Sequence, residues 1–196
     1  AFRYLADAKS TWEAVRENDP DDYEANLLLG TIYQRLDQLE KSNIALERVA
    51  KDSNARVTDL AEAHALIGRN LKQLWQNDWK DAPPEERRQR ALDSPRLLQS
   101  YEQYRKAYSQ DLNSYFPGIN ALALLTIYLD LAGDDAEDEM KARVGPLSSA
   151  VSLSVEAAKA RNQDDFWTSI TAADLTFLTN AKTSQTVKAY AAALAD

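Results

Sequence analysis

The strongest constraint on the fold is a pattern of apolar residues that recurs after thirty-four positions. Each copy has a small residue, a large apolar residue and a smaller one, and then a turn residue: Ala8, Trp12, Val15 and Pro20, followed by Ser42, Leu46, Val49 and Asn54. Between the copies, Leu29-Gly30 places a small residue where a second helix must come close. A fixed period of this length is typical of stacked helical hairpins, because one hairpin alone buries its apolar face incompletely.

A second copy of the first-helix pattern begins at Leu60 and has Gly68 at the small position. Its partner helix is delayed by an insertion at about residues 80–94, which contains consecutive prolines. The partner helix then resumes with the expected spacing at Ser100, Tyr104 and Ala107. The insertion therefore belongs to the second repeat.

Two further units follow. Residues 119–131 are almost wholly apolar and stop before Gly133, which predicts a buried helix that ends at the glycine. The last unit begins at Phe166-Trp167. This organisation resembles tetratricopeptide repeats, and it predicts an all-α fold: an α-solenoid of about four hairpins and about nine helices, with an insertion in the second repeat.

Composition agrees with an all-α chain and excludes several classes of function. There are only five glycines and six prolines in 196 residues, and the abundant straight-chain residues favour helices. The net charge of −8 argues against nucleic acid and anionic membranes as partners. Without cysteine, a reducing compartment suits the chain, and we expect a cytoplasmic location. We also expect no apolar run that approaches the roughly 20 residues needed to span a bilayer.

We expect residues 1–196 to form one repeat domain that is excised from a larger protein. The pattern begins with the second helix of a hairpin, so the first helix of that hairpin is not in the sequence. Residues before Ala1 are expected to supply it and to cover four apolar side chains: Phe2, Leu5, Trp12 and Val15.

Four segments match motifs of a known regulatory domain. Residues 64–75, HALIGRNLKQLW, are similar to its A-L-x-G-R-I-Y-K-D motif, and residues 101–108 and 115–121 are similar to Y-R-K-G-F and Y-x-G-I-N. Residues 166–175 are similar to Y-W…A-T-x-x-E, with Asp174 in place of the glutamate. The chain thus resembles the TRAF-binding, tetratricopeptide-like domain of the apoptosis-signal-regulating kinases and of many bacterial proteins. This resemblance implies a non-catalytic interaction domain of a multidomain signalling or defence protein.

The candidate partner-binding surface lies on the first helices of the hairpins, which stacked repeats expose on a concave face. Six polar residues are placed there by the helical register: Thr31, Gln34, Arg35, Arg69, Lys72 and Gln73. Arg35 and Arg69 are predicted to hold a carboxylate of a partner protein or of a flanking domain.

The insertion offers a second candidate patch. Its basic residues are Arg87, Arg88 and Arg90. Either they bind a small anion, a nucleotide or an acidic peptide, or the neighbouring glutamates compensate them. The tryptophans just before the insertion, Trp75 and Trp79, lie on one helical face. Either the insertion packs on them, or they form an exposed binding hot spot.

The sequence gives little support for catalysis or metal binding. His64 is the single histidine, and a metal site would require further ligands. A Ser-His-Asp enzyme would need this same histidine, and the chain has no G-x-S-x-G segment. We expect no enzyme activity, cofactor or metal. Protein recognition is the favoured function, a sensor of a small anion or nucleotide is the alternative, and a helical enzyme with paired carboxylates is the third hypothesis.

Overall fold

The computed structural model describes residues 2–161, 166–179 and 182–195. Those ranges hold ten α-helices and a short 3-10 turn at Gly133–Asp135, and no strand. The helices are α1 (Phe2–Asn18), α2 (Tyr23–Arg35), α3 (Leu39–Lys51), α4 (Val57–Trp79), α5 (Pro84–Asp93), α6 (Arg96–Gln110), α7 (Tyr115–Ala132), α8 (Asp138–Ala160), α9 (Phe166–Leu178) and α10 (Thr183–Ala193). The all-α prediction is confirmed, and the tenth helix arises because the insertion folds as α5.

The chain divides into two compact units, unit 1 (Ala1–Gln110) and unit 2 (Asp111–Asp196). Unit 1 contains α1 to α6, and unit 2 contains α7 to α10. One domain over residues 1–196, with all hairpins stacked in a solenoid, stays a prediction.

The hairpin of α2 and α3 closes around Gly30. A Cβ atom at this position would lie 2.5 Å from the Leu46 Cγ, so only glycine allows the two helices to approach this closely. The Ser42 hydroxyl donates a hydrogen bond of 2.7 Å to the Gly30 carbonyl and joins the helices at the same level. The predicted role of the small residue is confirmed.

The hairpin of α4 and α6 repeats this arrangement around Gly68. A Cβ atom there would lie 2.9 Å from the Tyr104 Cδ2, and the Ser100 hydroxyl donates a hydrogen bond of 2.7 Å to the Gly68 carbonyl. The helix α5 lies between the two helices in sequence and leaves this geometry intact. It begins with Pro84 in its first turn, a position where the missing amide hydrogen costs nothing.

The N-terminal helix α1 packs against α2. Trp12 covers the buried cluster of Leu29, Tyr33 and Ala45, and the Tyr33 hydroxyl donates a hydrogen bond of 2.6 Å to Glu13 Oε1. α2 thus gives Trp12 partial cover within this chain, and a preceding helix that covers the rest of α1 stays a prediction.

In unit 2, α7 packs against α8 and α9, and α10 packs against α9. The helix α7 ends, as predicted, before Gly133, which has a φ of +59° that favours glycine. The segment Tyr115–Asp135 is long and apolar enough to span a bilayer by length and composition alone, so the expectation of no such run is wrong. Its buried side chains include Leu122, Leu124 and Leu125, and a core helix that packs on two neighbours has the same composition.

Candidate functional site

A stripe of cations and amides on α4 lines a polar groove in unit 1. Its members recur every three or four positions, so they lie on one face of the helix. They line a groove of about 360 Å³, which we call the α4 groove: Arg69, Lys72, Gln73, Gln76, Asn77 and Lys80. Among the described lining residues there is no carboxylate, although the chain has an excess of eight negative charges.

Lys72 is the half-buried cation of the α4 groove. Its ammonium lies 5.5 Å from the centroid of the Tyr104 ring, within the range of a cation–π interaction. Burial lowers the pKa of Lys72, and the positive charge of Arg69 lowers it further. An anion bound beside both residues would offset the cost of holding these charges together.

Arg69 connects the groove to a buried hydrogen-bond network. Its Nη1 lies 3.2 Å from Gln34 Oε1, and Gln34 Nε2 donates to Asn70 Oδ1 at 2.8 Å. Asn70 is fully buried, and its amide donates to Ser42 Oγ at 2.8 Å and to Asn43 Oδ1 at 2.9 Å. The network thus runs from the surface of α4 to the contact between α2 and α3.

The six residues predicted as the partner surface do not all line this groove. Arg69, Lys72 and Gln73 do, and Gln73 also donates to Asp37 Oδ1 at 3.0 Å. Gln34 contacts Arg69 from the end of α2. Gln34 and the remaining two predicted residues lie outside the lining.

Thr31 bonds back to the Leu27 carbonyl of its own helix, and Arg35 is exposed at the end of α2, with no hydrogen bond or ion pair to the described residues.

The prediction from the sequence did not include Gln76, Asn77 and Lys80. These residues continue the spacing of Arg69, Lys72 and Gln73 along the helix. The signal is the helical period itself, carried to the end of α4.

Residues 5–125 match the model of the Tetratricopeptide Repeats-Sensor family. The chain belongs to this family. The match covers most of unit 1 and extends into α7 of unit 2, so the α4 groove lies within it. No curated protein and no solved structure matches the chain. The tetratricopeptide-like character predicted from the repeat pattern is confirmed.

In this Tetratricopeptide Repeats-Sensor chain, the two tryptophans at the end of α4 contact each other, and Trp75 also contacts the insertion. Trp75 is buried, and its Nε1 donates a hydrogen bond of 2.8 Å to the Ala91 carbonyl of α5. Trp79 stacks edge-on against Trp75, with ring centroids 5.5 Å apart. The packing interpretation is confirmed for Trp75, and an exposed hot spot that includes this residue is wrong.

The basic residues of the insertion are engaged locally and do not line the α4 groove. Arg87 donates to the Ala82 carbonyl at 2.8 Å, and Arg90 pairs with Glu86 at 2.8 Å. Arg88 is exposed on α5. Arg96, at the start of α6, pairs with Asp78. These contacts favour the interpretation that neighbouring acidic and carbonyl groups compensate the cluster.

His64 lies on α4 and packs towards α6. Its Nδ1 lies 2.7 Å from Gln103 Oε1. Burial lowers the pKa of His64, which favours the neutral ring. The described part of the chain contains no group of three His, Asp or Glu side chains that could hold a metal ion.

Proposed function

We propose that this Tetratricopeptide Repeats-Sensor domain is a non-catalytic recognition domain whose α4 groove binds an anionic segment of a protein partner or of a flanking domain. The observation that carries the proposal is the carboxylate-free lining of Arg69, Lys72 and Lys80 in a chain of net charge −8. A positive groove on an acidic protein selects acidic segments and repels the rest of the protein's own surface.

The chemistry of the groove suits carboxylates. The Arg69 guanidinium offers a planar pair of donors that matches a carboxylate, while Lys72 and Lys80 act as point charges. The amides of Gln76 and Asn77 add neutral donors along the same helix face. Because Lys72 is half-buried, a hydrogen-bonded ion pair at its ammonium is screened less by salt than an exposed pair would be.

We place the groove on the concave face of a solenoid of hairpins, in a cytoplasmic, bacterial multidomain signalling or defence protein related to the kinase regulatory domain. Nucleic acid and membranes are not among the proposed partners, and TRAF binding itself is not proposed.

A second candidate is a sensor of a small anion or nucleotide, which the family description also suggests. The observation that favours it is the volume of the α4 groove, about 360 Å³, which falls in the range of small-molecule sites. Phosphate oxygens accept hydrogen bonds from the same cations.

The test uses isothermal titration of the whole chain with three probes: an acetylated Glu-Glu-Asp-Glu peptide, inorganic phosphate and ATP. We expect Arg69→Glu to weaken binding of the peptide by about tenfold or more, since it replaces an attractive charge with a repulsive one. Arg35→Glu should weaken it less, because Arg35 does not line the groove.

Arg88→Glu is the matched control, because it reverses one charge on the insertion and leaves the groove unchanged. A loss in Arg88→Glu that equals the loss in Arg69→Glu would contradict the assignment of the site to α4. Binding of ATP or phosphate that depends on Arg69, without binding of the peptide, would select the second candidate.

A further inference from the structure

Unit 2 contains a groove of different character, formed by three helices. It has a volume of about 330 Å³, and we call it the unit 2 groove. Ile119 and Ile127 of α7 form one wall, Phe177 and Leu178 of α9 form the other, and Tyr190 of α10 closes one side. All of its lining residues belong to unit 2, and those of α9 and α10 lie outside the region that matches the family.

The walls of this groove carry exposed apolar surface. Phe177 is 61 % exposed and Ile127 is 37 % exposed, although both line a concave surface. Burial of such side chains by a ligand is favourable in proportion to the area removed from water. The groove therefore suits a ligand with an apolar body.

A single carboxylate sets the charge of the groove. Among the described residues that line it, Asp174 is the one with a charge. The Tyr190 hydroxyl donates to Asp174 Oδ1 at 2.5 Å and fixes the orientation of the carboxylate. Burial, this hydrogen bond and the charge of Asp174 raise the pKa of Tyr190 to about 12, so the phenol stays a donor at neutral pH.

The second carboxylate oxygen, Asp174 Oδ2, has no hydrogen-bond donor among the described residues. Asp174 is half-buried among apolar side chains. A ligand that covers it must supply hydrogen-bond donors, and a donor with positive charge compensates a carboxylate best. The described lining offers no such cation. A ligand anion would be repelled, and a neutral apolar ligand would cover the carboxylate without compensating it.

We propose that the unit 2 groove binds an organic cation: an ammonium group on an apolar aromatic or aliphatic body. The ammonium donates to Asp174 in a charge-assisted hydrogen bond, and the body packs between Ile127 and Phe177. The aromatic faces of Phe177 and Tyr190 add the attraction of a ring for a cation. A free amine and a lysine side chain of another protein share this chemistry.

The test compares three probes of similar size by NMR titration of the whole chain: phenethylamine, 2-phenylethanol and 3-phenylpropionate. We expect the amine to bind about tenfold or more tightly than the alcohol, and the acid to bind least. The shifts should centre on the methyl groups of Ile119 and Ile127.

Two variants that each remove one negative charge distinguish a contact with Asp174 from the effect of the net charge of the protein. Asp174→Asn keeps a side-chain carbonyl for Tyr190 and should abolish the preference for the amine. Asp134→Asn, on the exposed turn after α7, should leave that preference unchanged. Equal binding of the amine and the alcohol, or an unchanged preference in Asp174→Asn, would overturn the proposal.

A capped Leu-Lys-Leu peptide tests whether the ammonium group comes from a lysine side chain of another protein. Binding of either probe that depends on Asp174 supports the proposal, and the tighter probe identifies the source as a free amine or a protein side chain. Failure of both probes to bind would overturn it.

Discussion

The α2/α3 hairpin and the α4/α6 hairpin are held together by the same kind of contact between their helices, but only the second carries the α4 groove. Both place a glycine under a large side chain and a serine on the glycine carbonyl. The large side chain is Leu46 in the first hairpin and Tyr104 in the second, where the ring lies under the Lys72 ammonium. In addition, α4 has 23 residues against 13 in α2, which extends its polar stripe to Lys80. The repeat therefore fixes the packing, while helix length and one aromatic residue create the site.

The largest expected loss of stability follows from substitution of the two glycines at the helix contacts. Gly30→Ala should destabilise the chain by about 1 to 3 kcal/mol, because the added Cβ would overlap the fully buried Leu46. Gly68→Ala should cost less, since its Cβ meets the Tyr104 ring at 2.9 Å and alanine gains helix propensity. Urea unfolding of both variants measures the difference. Equal costs would show that the two closures are equally tight.

Substitution of the two serines that bond to the glycine carbonyls is expected to cause the next largest loss of stability. Ser100→Ala removes one hydrogen bond to the Gly68 carbonyl and should cost about 1 kcal/mol. Ser42→Ala should cost about 2 kcal/mol, because Asn70 also donates to this hydroxyl and would lose a buried acceptor. The same urea unfolding measures both. A larger loss in Ser100→Ala would contradict the network drawn through Asn70.

Much of unit 1 could be predicted from the sequence because its signals are local. The period identified Gly30, Gly68, Ser42 and Ser100 at the right positions, and the structure confirms the close approach of the helices at both glycines. The role of Asn70 could not be predicted, since it replaces an apolar residue of the motif and its three polar partners come from α2 and α3.

The candidate sites were predictable to different degrees. Three residues of the α4 groove followed from helical register alone. The unit 2 groove did not, because Asp174 and Phe177 meet α7 only through long-range packing that no local spacing encodes. The insertion was predicted as a segment, and compensation of its arginines by neighbouring glutamates was one of two alternatives, which the Arg90–Glu86 pair favours.

An effect similar in size to that of Ser100→Ala concerns α5, which the first hairpin lacks. Trp75→Phe removes the hydrogen bond to the Ala91 carbonyl and should cost about 1 kcal/mol. Hydrogen exchange should then show faster exchange in residues 84–93. Trp79→Phe is the control, because Trp79 Nε1 has no hydrogen-bond acceptor among the described residues. Equal protection of α5 in both variants would mean that the indole hydrogen bond does not anchor it.

The smallest effect is the pH response of His64, which belongs to the second hairpin alone. Folding lowers its pKa from 6.5, through burial and the nearby charge of Lys106, so below pH 6.5 the unfolded chain binds more protons than the folded chain. Stability is therefore lost as the pH falls from 6.5 through the lowered pKa. His64→Gln should lose less stability than the wild type over this range in urea unfolding at pH 7.5 and 5. An identical loss in both would show that His64 does not contribute.

The account rests on the α4 groove as the site of anion recognition, and NMR mapping of the acetylated Glu-Glu-Asp-Glu peptide on the isotope-labelled chain tests this most directly. We predict that the amide shifts centre on residues 69–80 and are lost in Arg69→Glu. Shifts centred on residues 84–93, or the absence of shifts in residues 69–80 at saturating peptide, would contradict the account.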